Sequence, residues 1–201
     1  MTLPGVAGHP KRSQDRLFKW VAAVAAACLI GFVVFVVVRG SQQPARVGSA
    51  ALAVPPPPVL KAGTTAPAFS LPALQGASSV SLSTFRGRPV IVNFFASWCR
   101  DCRAELGAVA RVARGTEGRL TVVGVDSNET SIATAKQLLA AAGTTYPVAV
   151  DAQAKVASQY LIQALPVTYF LNGSGQVVGA ALGPQSVSSL ERWVARLGVG
   201  G

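Results

Sequence analysis

Hydrophobic side chains divide this sequence into an uninterrupted apolar run near the N-terminus and a longer region of short alternating patterns. The apolar run covers residues 20–38 and contains no charged side chain. As a helix, it is long enough to cross about 30 Å of hydrocarbon. We therefore predict a single transmembrane helix over 20–38.

From residue 66 onward the pattern is typical of an α/β domain, because β-branched runs alternate with helical repeats and are separated by Gly, Asn and Ser. Alternation and turn residues predict strands, whereas apolar positions at helical spacing predict helices. The predicted elements are strands at 90–95, 120–125 and 148–150, an edge hairpin of 69–71 with 80–82, a hairpin of 167–171 with 176–182, and helices at 99–112, 131–142, 155–161 and 187–197.

The chain is strongly basic, with a formal net charge of +10. No basic run with interleaved aromatic residues occurs, so we predict no nucleic-acid partner. Part of the excess charge instead flanks residues 20–38, with more Lys and Arg shortly before the run than shortly after it. The positive-inside tendency then places the N-terminus in the cytoplasm and the α/β domain outside it.

This pattern predicts four segments: a basic tail without regular structure at 1–19, the transmembrane helix at 20–38, a Pro-rich tether at 39–61 and the α/β domain at 62–201. A cleaved signal peptide is the alternative, because Ala51-Leu52-Ala53 resembles a cleavage site. The apolar run is long for a signal peptide, and that tripeptide lies well beyond its end. We therefore favour an uncleaved anchor.

Two cysteines stand where a predicted strand gives way to a predicted helix. Cys99 would lie at the helix N-terminus and Cys102 one turn inside. The helix dipole and unpaired N–H groups favour a thiolate there, so we expect Cys99 to be the nucleophile and Cys102 the resolving thiol. The remaining Cys and His, Cys28 and His9, both precede the domain, which excludes a four-ligand zinc site within it. A structural disulfide is the ordinary alternative.

The residues around these cysteines resemble the thioredoxin superfamily, and more closely the membrane-anchored TlpA/ResA-like thiol-disulfide oxidoreductases of bacteria. The resemblance extends over about 62–197. It is carried by Pro67-Ala68-Phe69-Ser70-Leu71, the run 82–105 with its Trp98-Cys99-Arg100-Asp101-Cys102, Val123-Gly124-Val125-Asp126 and Leu165-Pro166-Val167-Thr168. It implies a thioredoxin-like fold, in which helices flank a central mixed sheet, with an N-terminal hairpin and one inserted helix at 131–142.

The same resemblance implies roles for residues beside the dithiol. Pro166 would follow a cis peptide bond, and the backbone of Leu165 would pair with a substrate strand. Glu105 would tune the thiols or relay a proton, and Trp98 would shield the dithiol and offer an apolar contact surface. Asn93 stands where thioredoxins carry a buried Asp, and its neutral amide cannot transfer a proton. The plain alternatives are a helix stop at Pro166, a solvated carboxylate at Glu105 and a packing role for Trp98.

The dipeptide between the cysteines tunes the redox potential and departs from the family's pattern, because Arg100-Asp101 replaces a residue followed by Pro. Arg100 favours a thiolate at Cys99, whereas Asp101 opposes it. The direction of electron flow therefore stays open from these residues.

We predict an extracytoplasmic thiol-disulfide oxidoreductase of the bacterial cell membrane, whose redox centre is the Cys99–Cys102 disulfide and which needs no other cofactor. Its partners would be proteins with thiols or disulfides. By resemblance it would be a reductant, acting for example on apocytochrome c and supplied by a CcdA/DsbD-like membrane thiol donor.

Four alternatives remain for the function. An oxidant that forms disulfides in secreted proteins would carry the same motif. Peroxide reduction usually requires Thr three residues before the reactive Cys, where this chain has Ala96. A copper-delivery protein would need wider cysteine spacing and a distant His. A binding module with an idle dithiol is the last alternative.

Overall fold

The computed structural model of the chain describes residues 14–40, 57–76, 78–116 and 118–199. The chain divides into two compact units, Met1–Pro55 and Pro56–Gly201. Residues 1–13 of the predicted tail, residues 41–56 of the predicted tether and the cleavage-like tripeptide at 51–53 lie outside the described residues.

The first unit contains the long helix α1 (Gln14–Gly40). This helix includes the apolar run 20–38, but it begins inside the segment 1–19, where no regular structure is predicted. That prediction is wrong for residues 14–19, because Gln, Arg and Lys have high helix propensity and extend the helix of the apolar run. Within the described residues, no helix combines the length and the apolarity that crossing a membrane requires. The predicted transmembrane helix is therefore not confirmed.

The second unit is an α/β domain whose elements follow the predicted order. They are β1 (Ser70–Pro72), β2 (Ser79–Ser81), β3 (Val90–Phe95), α2 (Arg100–Gly115), β4 (Thr121–Ser127), α3 (Ile132–Ala141), β5 (Val148–Asp151), α4 (Lys155–Gln159), β6 (Val167–Leu171), β7 (Val177–Leu182) and α5 (Val187–Arg196). Each predicted strand and helix of the domain is present, with small shifts of its ends.

A five-stranded mixed sheet, ordered β5-β4-β3-β6-β7, forms the centre of the domain. The middle strand β3 is parallel to β4 and antiparallel to β6. All six residues of β3, including the polar Asn93, are buried, as expected for a mostly apolar strand that is covered on both faces. The predicted edge hairpin, β1 with β2, forms its own two-stranded sheet and meets β5 through an Ala73–Ala149 bridge.

Neighbouring side chains of β3 point into two hydrophobic clusters on opposite faces of the sheet. Phe94 packs against the rings of Tyr160 and Tyr169, with centroids 5.0 Å and 6.3 Å away. Phe95 belongs to the other cluster, together with Leu106 of α2. Because α2 is held by this second cluster, the cysteines at its start have a fixed position relative to the sheet.

Candidate active site

The two cysteines lie beyond the carboxyl end of β3, where a short turn at 96–98 leads into α2. Cys99 and Cys102 form a disulfide, and their Cα atoms are 5.3 Å apart. Cys99 is the N-cap of α2, and its Sγ accepts a hydrogen bond of 3.1 Å from the backbone N–H of Cys102. Cys99 is 7% exposed and Cys102 only 1%. An incoming thiolate therefore reaches the sulfur of Cys99 first.

Trp98 stands directly before Cys99 and presents its indole to solvent. The side chain is 51% exposed, and its Nε1 donates a hydrogen bond of 2.9 Å to the carbonyl oxygen of Asn128. This bond fixes the orientation of the ring and leaves an apolar face accessible. Arg100 and Asp101, the predicted tuning residues, are exposed in the first turn of α2.

Leu165 and Pro166 precede β6, the strand that pairs with β3. The peptide bond between them is cis, as the resemblance implies, and Pro166 is buried whereas Leu165 is half-buried. Leu165 and Trp98 line one groove of about 190 Å³, together with Asn128 and the segment 162–164. The fold thus brings these two predicted site residues to a shared surface beside the dithiol.

Glu105 is buried beneath α2, with only 2% of its surface exposed, so it is not a solvated carboxylate. Its Oε1 accepts hydrogen bonds from Asn93 Nδ2 and Thr168 Oγ1, both at 3.1 Å. Burial raises the pKa of Glu105 to about 7, although Thr168, the nearby backbone of Gln185 and Asn93 each act to lower it. Its Oε2 has no hydrogen-bond partner among the described residues. Glu105 can therefore gain or lose a proton near neutral pH.

Asn93 contributes to the site through this network. Its Nδ2 also donates to Thr168 Oγ1 at 3.0 Å, so Asn93, Thr168 and Glu105 form a closed triangle of hydrogen bonds. Asn93 and Thr168 are opposite each other in the register of β3 and β6. Asn93 therefore orients the carboxyl group of Glu105.

Sequence reasoning missed several polar residues at the carboxyl end of β4. Asp126 lies opposite Phe95 in the parallel pairing of β3 and β4 and is fully buried. Glu129 accepts hydrogen bonds from the backbone N–H of Ser97 at 2.7 Å and from its hydroxyl at 2.9 Å. Thr168 was missed as well. Two signals were available: Asp126 and Thr168 each end a motif of the resemblance, and the carboxyl ends of the parallel strands β3 and β4 meet at one edge of the sheet.

Residues 62–180 match the family model described as the AhpC/TSA family. The chain belongs to the AhpC/TSA family. The thiol-disulfide oxidoreductase ResA of Bacillus thuringiensis (strain Al Hakam) is 27% identical over 139 residues, which cover 69% of this chain and 79% of that protein. The thioredoxin-like protein YneN of Bacillus subtilis (strain 168) is 28% identical over 179 residues, which cover 88% of this chain and 96% of that protein.

Solved structures that resemble this chain include thiol-disulfide exchange proteins. A thiol:disulfide interchange protein DsbE from Chlorobium tepidum has a TM-score of 0.64 and 25% identity, covering 70% of this chain and 99% of that one. A DsbF homologue from Corynebacterium diphtheriae has a TM-score of 0.62 and 25% identity, covering 70% of this chain and 92% of that one. The protein is thus a TlpA/ResA-like thiol-disulfide oxidoreductase of the thioredoxin superfamily, and its predicted thioredoxin-like fold is confirmed.

The activity of the protein is that of a thiol-disulfide oxidoreductase, the name that its relatives carry. The chemistry available at the site fits this activity, since it combines an accessible sulfur, a second sulfur within bonding distance and a buried carboxyl group. Within the described ranges, no cluster of three or more His, Cys, Asp or Glu residues is arranged to hold a metal ion.

Proposed function

We propose that this protein is a reductant of protein disulfides on the outer side of a bacterial cell membrane. The observation that carries the proposal is the setting of Cys99, whose sulfur is the accessible one and receives the Cys102 N–H as a hydrogen-bond donor. A strongly oxidising dithiol requires a strongly stabilised thiolate. Among the described residues, the Cys99 sulfur accepts a hydrogen bond from the Cys102 N–H alone, and the buried carboxyl group of Glu105 on the same helix, when ionised, opposes negative charge on the dithiol.

In the proposed reaction, the Cys99 thiolate attacks one sulfur of a substrate disulfide. A bond forms between that sulfur and Cys99 Sγ, and the second substrate sulfur leaves as a thiolate. Cys102 then loses its proton to Glu105 and attacks Cys99 Sγ, which closes the internal disulfide and releases the first substrate sulfur. The substrate gains two electrons, and an external dithiol must reduce the enzyme again.

Other residues at the site would bind the substrate. The backbone at Leu165 would pair with an extended substrate strand, while the exposed face of Trp98 would contact its side chains. Pro166 would hold the backbone of Leu165 in position beside the dithiol. Arg100 and Asp101 would adjust the redox potential through their opposite charges.

The reduction potential of the Cys99–Cys102 pair tests the direction of electron flow. We expect a value close to the roughly −270 mV of thioredoxin and far from the roughly −120 mV of the oxidant DsbA. Equilibration of the purified protein with glutathione or dithiothreitol buffers, followed by alkylation and mass measurement, gives this value. A potential near the upper figure would instead establish an oxidant that forms disulfides in secreted proteins.

We further propose a membrane-tethered arrangement, with a cytoplasmic tail at 1–19, an anchor at 20–38, a tether at 39–61 and the catalytic domain at 62–201. The support is the uncharged run 20–38 and the basic residues that precede it. In this arrangement a CcdA/DsbD-like membrane thiol donor would supply electrons, and apocytochrome c would be a suitable substrate.

Fractionation of a bacterium that expresses the full chain tests this arrangement. We expect the protein to stay in the membrane pellet after an alkaline carbonate wash, and its domain to be digested when protease is added to intact spheroplasts. A cytoplasmic protein of the same cells serves as the control for lysis. Recovery of the chain in the soluble fraction, or protection of the domain from protease, would show that the arrangement is wrong.

A further inference from the structure

The loop between β4 and α3 holds the turn that precedes the dithiol. Both carboxylate oxygens of Glu129 accept hydrogen bonds from Ser97, one from its backbone N–H at 2.7 Å and one from its hydroxyl at 2.9 Å. The carbonyl oxygen of Asn128 accepts a third bond from the Trp98 indole at 2.9 Å. The two residues directly before Cys99 are thus tied to a single loop.

This loop is itself anchored to neighbouring elements. Oε1 of Glu129 also accepts hydrogen bonds from the backbone N–H groups of Thr130 and Ser131, each at 2.7 Å, and Ser131 is the N-cap of α3. The N–H of Asn128 donates to the carbonyl oxygen of Asp151 in β5 at 3.1 Å. The Glu129 carboxylate therefore has a fixed position from which it can hold Ser97.

Asp126 lies close to Glu129. It is fully buried, and neither of its oxygens accepts a hydrogen bond from a described residue. Burial, and next the charge of Glu129, raise the pKa of Asp126 to about 8. Burial also acts to raise the pKa of Glu129, but the hydrogen bonds from Ser131, Ser97 and Thr130 outweigh it and lower that pKa. At neutral pH, these opposite shifts favour the neutral form of Asp126 and the ionised form of Glu129.

We propose that Glu129 is a positioning residue for Cys99: by holding Ser97 it fixes the turn from which Cys99 projects, so that the Cys99 sulfur faces the N-terminus of α2. The N–H of Cys102 lies 3.1 Å from that sulfur, and a donor in this position stabilises the thiolate. A loosened turn weakens this interaction and lowers the thiolate fraction. The inference rests on the proposed role of Cys99 as the attacking thiol.

Alkylation of Cys99 in the reduced, full-length protein tests this role, because the thiolate is the species that reacts. The iodoacetamide rate is measured as a function of pH, and peptide mass mapping separates Cys99 from Cys28 and Cys102. The variants are Ser97→Ala, Glu129→Ala and the double substitution. Glu191→Ala, which removes an exposed glutamate from α5, is the matched control.

We expect Glu129→Ala to lower the rate at neutral pH by about tenfold, which corresponds to about one unit of increase in the thiol pKa. Ser97→Ala, which keeps its backbone N–H, is expected to lower it by about threefold. The double variant should match Glu129→Ala, because both substitutions remove the same contact. Glu191→Ala should react as the wild type does.

Faster alkylation of Glu129→Ala would overturn the proposal, because Glu129 would then act only as a negative charge near the sulfur. Unchanged rates in Ser97→Ala, or effects that add in the double variant, would also overturn it, even if the melting temperature falls. If Glu129→Ala does not fold, the alkylation rates of Ser97→Ala and Glu129→Gln test the proposal by the same criteria. A failure of the proposed role of Cys99 as the attacking thiol gives a separate result, because Cys99 of the wild type would then be alkylated no faster than Cys102.

Discussion

Replacement of Cys99 by serine is expected to abolish disulfide exchange, whereas replacement of Cys102 is expected to trap the enzyme on its substrate. A serine hydroxyl is not ionised at neutral pH, so insulin reduction by Cys99→Ser should fall by about 10³-fold or more. Cys102→Ser keeps the attacking thiol but loses the sulfur that resolves the mixed disulfide. Turnover should then stop after the first attack.

The decisive measurement compares the amount of covalent adduct that the two variants form. Resolution by Cys102 is intramolecular, and its sulfur is already within bonding distance of Cys99, which gives it a large advantage over any external thiol. Reduced Cys102→Ser should therefore accumulate covalent adducts with proteins whose disulfides Cys99 attacks, and these adducts should appear on non-reducing gels and disappear with dithiothreitol. Mass mapping should place the bond on Cys99.

The free cysteine Cys28 must be removed from this experiment. It is exposed in α1 and could form adducts of its own, so both variants are made in a Cys28→Ser background. Equal adduct formation by Cys99→Ser, or bonds that map to Cys102, would contradict the assignment of nucleophile and resolving thiol. Wild-type protein with intact Cys99 and Cys102 is the control for background trapping.

Local patterns in the sequence were sufficient to predict the strands, the helices and the dithiol. The residues of β3 are apolar except for Asn93, because both faces of the strand are buried. Cys99 could be placed at a helix N-terminus because the helical spacing begins there. Glu105 and Pro166 were found only through motifs of the resemblance. Their burial and their neighbours could not be read from local spacing.

The contacts that local sequence patterns did not predict depend on the register between strands that are distant in the sequence. Thr168 meets Asn93 only because β6 pairs antiparallel with β3 in one register, and Asp126 reaches the end of β3 only through its pairing opposite Phe95. A slip of one residue would turn each side chain to the other face of the sheet. Glu129 additionally needs the N-terminus of α3 to hold its carboxylate. Such contacts become predictable only when the pairing of the strands is known.

Glu105→Gln is expected to slow resolution of the mixed disulfide by about 10²-fold, the low end of the range typical of general acid–base catalysis. Burial raises the pKa of Glu105 to about 7, and its Oε2 has no hydrogen-bond partner among the described residues. In the proposed reaction, this oxygen takes the Cys102 proton. The glutamine variant keeps an oxygen that can accept from Asn93 and Thr168, but it cannot accept the proton. The loss should therefore appear in the resolution step of stopped-flow mixing experiments and not in the attack by Cys99.

The pH dependence separates proton transfer from a structural effect. Because the basic form of Glu105 is the active one, the wild-type resolution rate should rise with pH up to about 7 and then level off, and the variant should lack this ionisation. The pKa of Glu105 is higher in the folded protein than in the unfolded chain, so its ionisation destabilises the fold as the pH rises from its ordinary value near 4.5 to about 7. Glutamine has no such ionisation, and urea unfolding should find the variant at least as stable as the wild type at pH values above 7.

Slow resolution in a variant whose free energy of unfolding is not reduced would show that Glu105 accepts the proton. Glu191→Gln on the exposed face of α5 is the control. Resolution within twofold of the wild type, with its pH profile unchanged, would show that the proton goes elsewhere.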